Sequence, residues 1–185
     1  MDAIGHFRKY KINRTMITKE MQKALNKQIN AELWSAYLYL AMSLDAEAKA
    51  LRGIANWFFV QWLEEQDHAR IFEEYMTDRG AKVILEPIGE VKTEWDSVLE
   101  MFEETLEHEM KVTGMIHDLV RTASRERDFA TVSRLQWFVD EQVEEEKSAE
   151  DIVTDLKRMN GEYSMIRDLD SELSERTYKK ATALK

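Results

Sequence analysis

The sequence contains no cysteine among its 185 residues. This absence excludes disulfide bonds, iron-sulfur clusters, zinc sites with cysteine ligands and thiol catalysis. Any metal site in the chain must therefore use carboxylate and imidazole side chains as its ligands. No secretory signal opens the sequence, and no apolar run approaches the roughly 20 residues needed to span a bilayer. We expect a cytoplasmic protein that does not enter the membrane.

Proline and glycine are also scarce, with one proline and six glycines in the whole chain. Alanine, glutamate, leucine, lysine, methionine and glutamine are abundant instead, and these residues favour the α-helix. Lysine and arginine number 26 against 36 acidic residues, which gives a net charge of −10. Such a charge argues against nucleic acid as a general partner. The composition predicts an all-α protein.

Four amphipathic segments follow one another along the chain. Capping residues, helix breakers and apolar residues spaced by three and four predict helices over 18–47, 51–79, 93–124 and 128–159. A shorter amphipathic stretch follows Gly161. Only a few residues connect the first helix to the second and the third to the fourth. Each of these two pairs is therefore expected to pack as antiparallel neighbours.

The connection between the second and third helices is longer and contains the only proline. Residues 81–92 can reach about 40 Å when extended, and the second helix is about 44 Å long. The connection can therefore nearly traverse the bundle and start the third helix at the end where the second one began. We predict a four-helix bundle with one long crossover and a short fifth helix at the C-terminus.

The chain is divided into three segments by these features. Residues 1–15 are predicted to be a flexible basic leader, 16–160 the four-helix bundle, and 161–185 the fifth helix and tail. The leader has four basic residues and one acid, and Met16 is itself a plausible initiator. We therefore interpret the leader as a start-site artefact in preference to a nucleic-acid contact.

An acid interrupts the apolar stripe near the middle of each predicted helix, namely Glu32, Glu65, Glu109 and Glu145, and His68 follows Glu65 by one turn. Because the midpoints of antiparallel helices lie at one level, these side chains are expected to converge. Buried carboxylates need compensating positive charge, and no basic residue lies beside them on the stripes. Oxygen ligands with one imidazole suit iron or manganese. The pattern predicts a dinuclear, carboxylate-bridged metal centre.

Other interpretations of the same residues stay open. A di-iron oxygenase would have a similar bundle, but it should also have a substrate pocket beside the metals and, as a rule, a second histidine. A metal-free structural bundle would turn its acids outward to solvent. His108, next to Glu109, is predicted to point away from the stripe to the surface.

Four segments resemble the helices of a ferritin, specifically a bacterial non-haem ferritin: NKQINAELWSAYLYLAMS, WFFVQWLEEQDHARIF, LEHEMKVTGMIHDL and LQWFVDEQVEEEKSAEDIV. The resemblance covers the chain from Met16 to its C-terminus. It implies an iron-storage protein that assembles as a hollow 24-subunit shell. It also implies a ferroxidase centre inside each bundle, where O2 or H2O2 oxidises Fe(II) to Fe(III) before the ferric product mineralises in the cavity.

The resemblance also implies roles for particular residues. The first iron site of the family corresponds to Glu32, Glu65 and His68. The second corresponds to Glu65, Glu109 and Glu145, so that Glu65 bridges the two iron ions.

Further roles follow from the same resemblance. Gln142 would lie close to the second iron, and Tyr39 matches a family tyrosine thought to hydrogen-bond and to donate electrons. Trp137 matches an aromatic residue near the centre. Bacterial members often carry a third iron site, which here would use Glu64, Glu141, Glu144 and Glu145.

Two related families fit the sequence less well. Bacterioferritins bind haem through a methionine next to the bridging glutamate, and this chain has Gln66 there. They also carry a second Glu-x-x-His, where this chain has Gln142 and Glu145. We therefore expect no haem. The DNA-binding mini-ferritins place their ligands across a dimer interface and lack the fifth helix, which also separates them from this sequence.

Overall fold

A computed structural model describes residues 17–182. The chain forms five α-helices there: α1 (Lys19–Ala48), α2 (Arg52–Asp78), α3 (Val98–Arg125), α4 (Phe129–Met159) and α5 (Tyr163–Leu173). Helix α1 packs against α2, α3 packs against α4, and α5 lies on α2. The predicted four-helix bundle with a crossover and a short fifth helix is confirmed.

The predicted basic leader, residues 1–15, lies outside the described residues, as does Met16. The division of the chain at residues 15 and 160 stays a prediction. Within residues 17–182, none of the helices combines the length and the apolar character that a membrane crossing requires.

The link between α2 and α3 runs along α1 in the same direction. Polar side chains of α1 bind main-chain groups of the link at 3.2 to 3.3 Å, in the pairs Asn26 with Lys82, Asn30 with Glu86, Trp34 with Glu90 and Asp45 with Trp95. From one pair to the next, the residue numbers increase both in α1 and in the link. The link therefore runs parallel to α1 and traverses the bundle. It delivers α3 to the end where α2 begins.

The third helix begins later than predicted. It was expected from residue 93, but α3 starts at Val98, after Ser97 has accepted a hydrogen bond from Glu100 N at 3.1 Å. Trp95 is 3% exposed. Burial of this indole in the core keeps the preceding chain extended, and the serine cap then fixes the start of the helix.

The apolar core consists of two clusters. Phe72 and Phe138 stack in one cluster, with ring centroids 3.9 Å apart, and Phe58 and Phe102 stack in the other at 4.9 Å. On each helix, the acid predicted to bind metal lies between the residues that contribute to the two clusters. A buried polar layer therefore separates two hydrophobic halves of the bundle.

Helix α5 caps the first turn of α2. Asp170 Oδ1 accepts hydrogen bonds from Gly53 N at 2.8 Å and from Ile54 N at 2.9 Å. A Cβ atom on Gly53 would lie 1.5 Å from Asp170 O. The close approach of the two helices therefore requires glycine at this position.

The substitution Gly53→Ala is expected to push α5 away from α2 and to destabilise the fold by about 2 kcal/mol or more, as overpacking does. Thermal unfolding followed by circular dichroism measures the effect. The matched control is Gly114→Ala in α3, where an added Cβ meets no atom within 4 Å. That substitution should be neutral or should stabilise the helix by about 1 kcal/mol. Equal losses in the two variants would contradict the prediction.

Candidate metal centre

The five residues predicted to bind the first two metal ions lie in the buried polar layer, each with 5% or less of its surface exposed. Helix α1 contributes Glu32, α2 contributes Glu65 and His68, α3 contributes Glu109 and α4 contributes Glu145. Glu32, Glu65 and His68 offer ligand atoms that all lie within 4.8 Å of one another. Glu109 and Glu145 act electrostatically on Glu65. The structure therefore brings the predicted ligands to one level.

Three polar atoms in this layer have no hydrogen-bond partner among the described residues: Glu32 Oε2, Glu65 Oε2 and His68 Nε2. They come from the same three residues that meet the distance for metal ligands. Burying one such atom without a partner costs about 1–3 kcal/mol. Two carboxylates and one imidazole at ligand distance are a donor set that fits a metal ion.

Buried glutamine amides hold two of the carboxylates. Gln28 Nε2 donates to Glu32 Oε1 at 2.9 Å, and Gln61 Nε2 donates to Glu145 Oε2 at 2.9 Å. The sequence analysis missed both glutamines. Each precedes a glutamate of its own helix, Glu32 or Glu65, by four residues, and this spacing on the apolar stripe is a signal that could have identified them.

Glu109 is held from two sides. The Tyr39 hydroxyl donates to its Oε1, and Gln142 Nε2 donates to its Oε2 at 3.2 Å. Tyr39 is fully buried, and burial together with the charge of Glu109 holds the pKa of its hydroxyl well above the usual value. Tyr39 and Gln142 therefore both donate to Glu109 in the polar layer, and their predicted roles beside the iron stay predictions.

The buried acids favour their protonated forms when no cation is bound. Burial, reinforced by the charge of Glu65, raises the pKa of Glu32 to about 8. Burial, reinforced by Glu145, raises the pKa of Glu109 to about 8. The pKa of Glu65 is raised well above its usual value, again chiefly by burial. A divalent cation would replace these protons and remove the mutual repulsion of the carboxylates.

The acids predicted for a third iron site have three different surroundings. Glu141 is partly buried and forms a second group of possible ligands with His68 and Glu145, whose atoms also lie within 4.8 Å of one another. Glu144 is exposed. Glu64 is paired with Arg176, whose Nη2 lies 2.6 Å from Glu64 Oε2. No feature of the sequence indicated Arg176, which is 112 residues away in the chain.

Two aromatic contacts lie next to the centre. The Trp137 ring meets the His68 ring edge to face at 5.6 Å, in agreement with its predicted position. The prediction that His108 lies on the surface is wrong. Its Nε2 is 2.7 Å from Ser35 Oγ, its ring is 5.3 Å from that of Trp34, and burial lowers its pKa to about 4. Helix α1 covers this side of α3, which the stripe of α3 alone did not reveal.

The chain is similar to proteins of known family. A family model described as a ferritin-like domain matches residues 22–159. A bacterial non-haem ferritin of Bacteroides fragilis is 41% identical over 161 residues, which cover 87% of this chain and all of the relative. A bacterial non-haem ferritin of Staphylococcus epidermidis is 36% identical over 163 residues, 88% of this chain and 98% of the relative.

Solved structures give the same result. An open pore ferritin from the hyperthermophilic archaeon Archaeoglobus fulgidus superposes with a TM-score of 0.86 and 48% sequence identity, covering 87% of this chain and 99% of that one. A humanized archaeal ferritin superposes with a TM-score of 0.87 and 46% identity, covering 88% of this chain and 99% of that one.

Proposed function

The chain belongs to the ferritin family of iron-storage proteins, and from that premise we propose that it is a ferroxidase that stores the iron it oxidises. Its substrate is Fe(II), its oxidant is O2 or H2O2, and its product is a ferric mineral held inside a 24-subunit shell. The observation that carries the proposal is the buried group of Glu32, Glu65 and His68, whose ligand atoms lie within 4.8 Å of one another. Each of the three side chains also has a buried polar atom without a hydrogen-bond partner among residues 17–182.

Two iron ions are proposed to bind as neighbours in the polar layer. Glu32 and His68 hold the first, Glu109 and Glu145 hold the second, and Glu65 lies between them as the bridge. The carboxylates contribute negative charge, which stabilises Fe(III) relative to Fe(II) and so favours the oxidised product. Each Fe(II) gives up one electron. The pair reduces one O2 with two protons to H2O2, or one H2O2 with two protons to two water molecules.

The neighbouring residues orient these ligands. Gln28 and Gln61 each occupy one carboxylate oxygen and leave the second oxygen of the same group for iron. Glu109 differs, because the Tyr39 hydroxyl donates to one of its oxygens and Gln142 donates to the other. Iron bound to Glu109 would therefore share an oxygen with one of these donors or replace it. We propose no haem in this protein, because Gln66 stands where bacterioferritins have the methionine that ligates haem.

Assembly into a shell is supported by apolar side chains that the described chain leaves exposed. Leu44 on α1 is 63% exposed and Leu85 on the link is 65% exposed, while Phe129 and Tyr163 are exposed by more than 70% at the starts of α4 and α5. Contacts between copies of the chain would bury such residues. Light scattering should give a particle of 24 chains, and a much smaller particle would refute the proposed shell.

Iron loading separates the proposed function from its alternatives. Fe(II) is added to the metal-free protein under anaerobic conditions, air is admitted, and protein-bound iron is counted after gel filtration. Storage predicts far more iron per chain than the two ions that the proposed centre of each bundle would hold. A di-iron oxygenase would retain only the two ions of its centre, and a metal-free scaffold would retain none. Either of the last two results would overturn the proposal.

A further inference from the structure

Residues 174–182, which follow α5, pack along α2. We call this segment the C-terminal strap. Asn56 Nδ2 donates to Arg176 O at 2.9 Å. Further along α2, Asp67 Oδ2 accepts from the Tyr178 hydroxyl at 2.6 Å and from Ala181 N at 2.7 Å. The strap is thus fixed to α2 over about three helical turns, beside the metal centre.

Arg176 turns inward from the strap. Its Nη2 lies 2.6 Å from Glu64 Oε2 and also donates to Gln61 Oε1, while its Nη1 donates to Trp57 O at 3.3 Å. The guanidinium carbon lies 4.6 Å from the centroid of the Trp57 ring. Three hydrogen bonds and a cation–π contact hold the charge in one position. Its side chain is 24% exposed.

Gln61 connects this arginine to the metal centre. Because Arg176 donates to Gln61 Oε1, the amide must present its Nε2 on the other side, where it donates to Glu145 Oε2 at 2.9 Å. Gln61 is fully buried, and no solvent competes for either bond. Arg176 therefore fixes which oxygen of Glu145 is occupied, although it does not touch Glu145.

The position of Arg176 coincides with part of the proposed third iron site. Glu64 is one of the four acids expected there, and it interacts electrostatically with Glu141 and Glu145. A divalent cation bound to Glu64 would lie next to the guanidinium, and two positive charges at such a distance repel strongly inside a protein. It would also have to displace the Gln61 bond from Glu145 to obtain that oxygen.

We propose that Arg176 acts as a built-in cation at the third metal position and restricts the centre of each chain to two divalent ions. In the native protein, a third ion binds only when the strap leaves α2 and takes Arg176 with it. Arg176 is thus a positioning residue that determines how many ions the centre binds. It pairs with Glu64 directly, and it acts on Glu145 through Gln61. The inference rests on the proposed two-ion centre and adds to it the reason why Glu64 takes no metal.

Zn²⁺ is a suitable probe because it is not oxidised. The assembled full-length protein, freed of metal, is titrated with Zn²⁺ by isothermal calorimetry, and crystals soaked in Zn²⁺ locate the ions by anomalous diffraction. The native protein should bind two ions per chain inside the bundle. Arg176→Leu, which still covers Trp57, should bind a third ion bordered by Glu64 and Glu145, with at least tenfold higher affinity than the native protein shows at that position.

Matched variants separate the charge from the loosening of the strap. Arg70 donates to Ala181 O at 3.2 Å and so also holds the strap, but it does not contact the centre, and Arg70→Leu should keep two ions. Arg176→Lys retains a positive charge and should also keep two. The double variant Arg176→Leu with Glu64→Gln should lose the third ion again. A third ion in Arg70→Leu but not in Arg176→Leu would overturn the proposal.

Different outcomes of the Zn²⁺ titration would refute the role of Arg176 and the proposed metal centre. Three ions in the native protein, or two in both the native protein and Arg176→Leu, would refute the role of Arg176 and leave the two-ion centre intact. A native protein that binds no Zn²⁺ in the polar layer would refute the centre itself. If Arg176→Leu does not assemble, Glu64→Gln is compared with the native protein in its place. The proposal is supported if both proteins bind two ions per chain. It is contradicted if the native protein binds three ions and Glu64→Gln binds two.

Discussion

Replacement of Glu65 and His68 together by alanine is expected to abolish rapid Fe(II) oxidation. Removing residues that only support a metal ligand costs about 10- to 100-fold in activity, and here the bridge and the imidazole ligand are both lost. We therefore expect the initial rate to fall by at least about 100-fold. Stopped-flow absorbance of Fe(III) after anaerobic Fe(II) loading and mixing with O2 measures this rate.

The shell should survive this double substitution. Both side chains carry an unpartnered buried atom, so their removal relieves polar groups that destabilise the metal-free fold. The matched control is Glu47→Ala with His117→Ala, which removes the same side-chain types from exposed positions. Light scattering verifies assembly of both variants. An oxidation rate equal to that of the native protein would refute the role of Glu65 and His68.

The metal-free protein is expected to lose stability as the pH rises from about 5 to about 8. The pKa of Glu32 is about 8 in the fold, against 4.5 for the ordinary side chain. The folded state therefore binds this proton more tightly than the unfolded state does. The stabilising effect is complete below pH 4.5 and is lost as the pH approaches 8. At about 1.36 kcal/mol per pKa unit, the loss amounts to about 5 kcal/mol for this residue.

Thermal unfolding in the presence of a chelator, at several pH values, measures this loss. Glu32→Gln cannot ionise at this position, so the pH dependence of its melting temperature should be smaller than that of the native protein. Glu47→Gln, an exposed glutamate of the same helix, is the control and should behave like the native protein. Zn²⁺ should flatten the native profile as well, because it neutralises the ionised acids. A native melting temperature that does not fall with pH would contradict the prediction.

The convergence of the four acids could be predicted because two local rules determine it. Helical periodicity places Glu32, Glu65, Glu109 and Glu145 on the inner face of each helix. Short connections and the length of the crossover then bring the helix centres to one level. Neither rule depends on details of packing. The predicted start of α3 was wrong by five residues, but Glu109 still lies at the level of the other three acids. The roles of these residues in catalysis stay predictions.

The surroundings of the acids could not be predicted in the same way. Arg176 reaches Glu64 only because the strap follows α2 after α5, and that path depends on tertiary contacts between residues more than 110 positions apart. His108 is partly buried against α1, a neighbour that the pattern of α3 does not reveal. Trp95 delays α3 because the core takes up its indole. In each case the deciding partner is distant in the sequence.

The bonds between α1 and the link have a consequence for how this protein can diverge. Each of the four hydrogen bonds described above joins a side chain of α1 to a main-chain group of the link. Main-chain groups are present whatever residue occupies the position. The path of the link is therefore encoded in α1, and exposed link residues such as Leu85 can change without altering that path. Substitutions in the link can therefore accumulate without redesign of the bundle that it crosses.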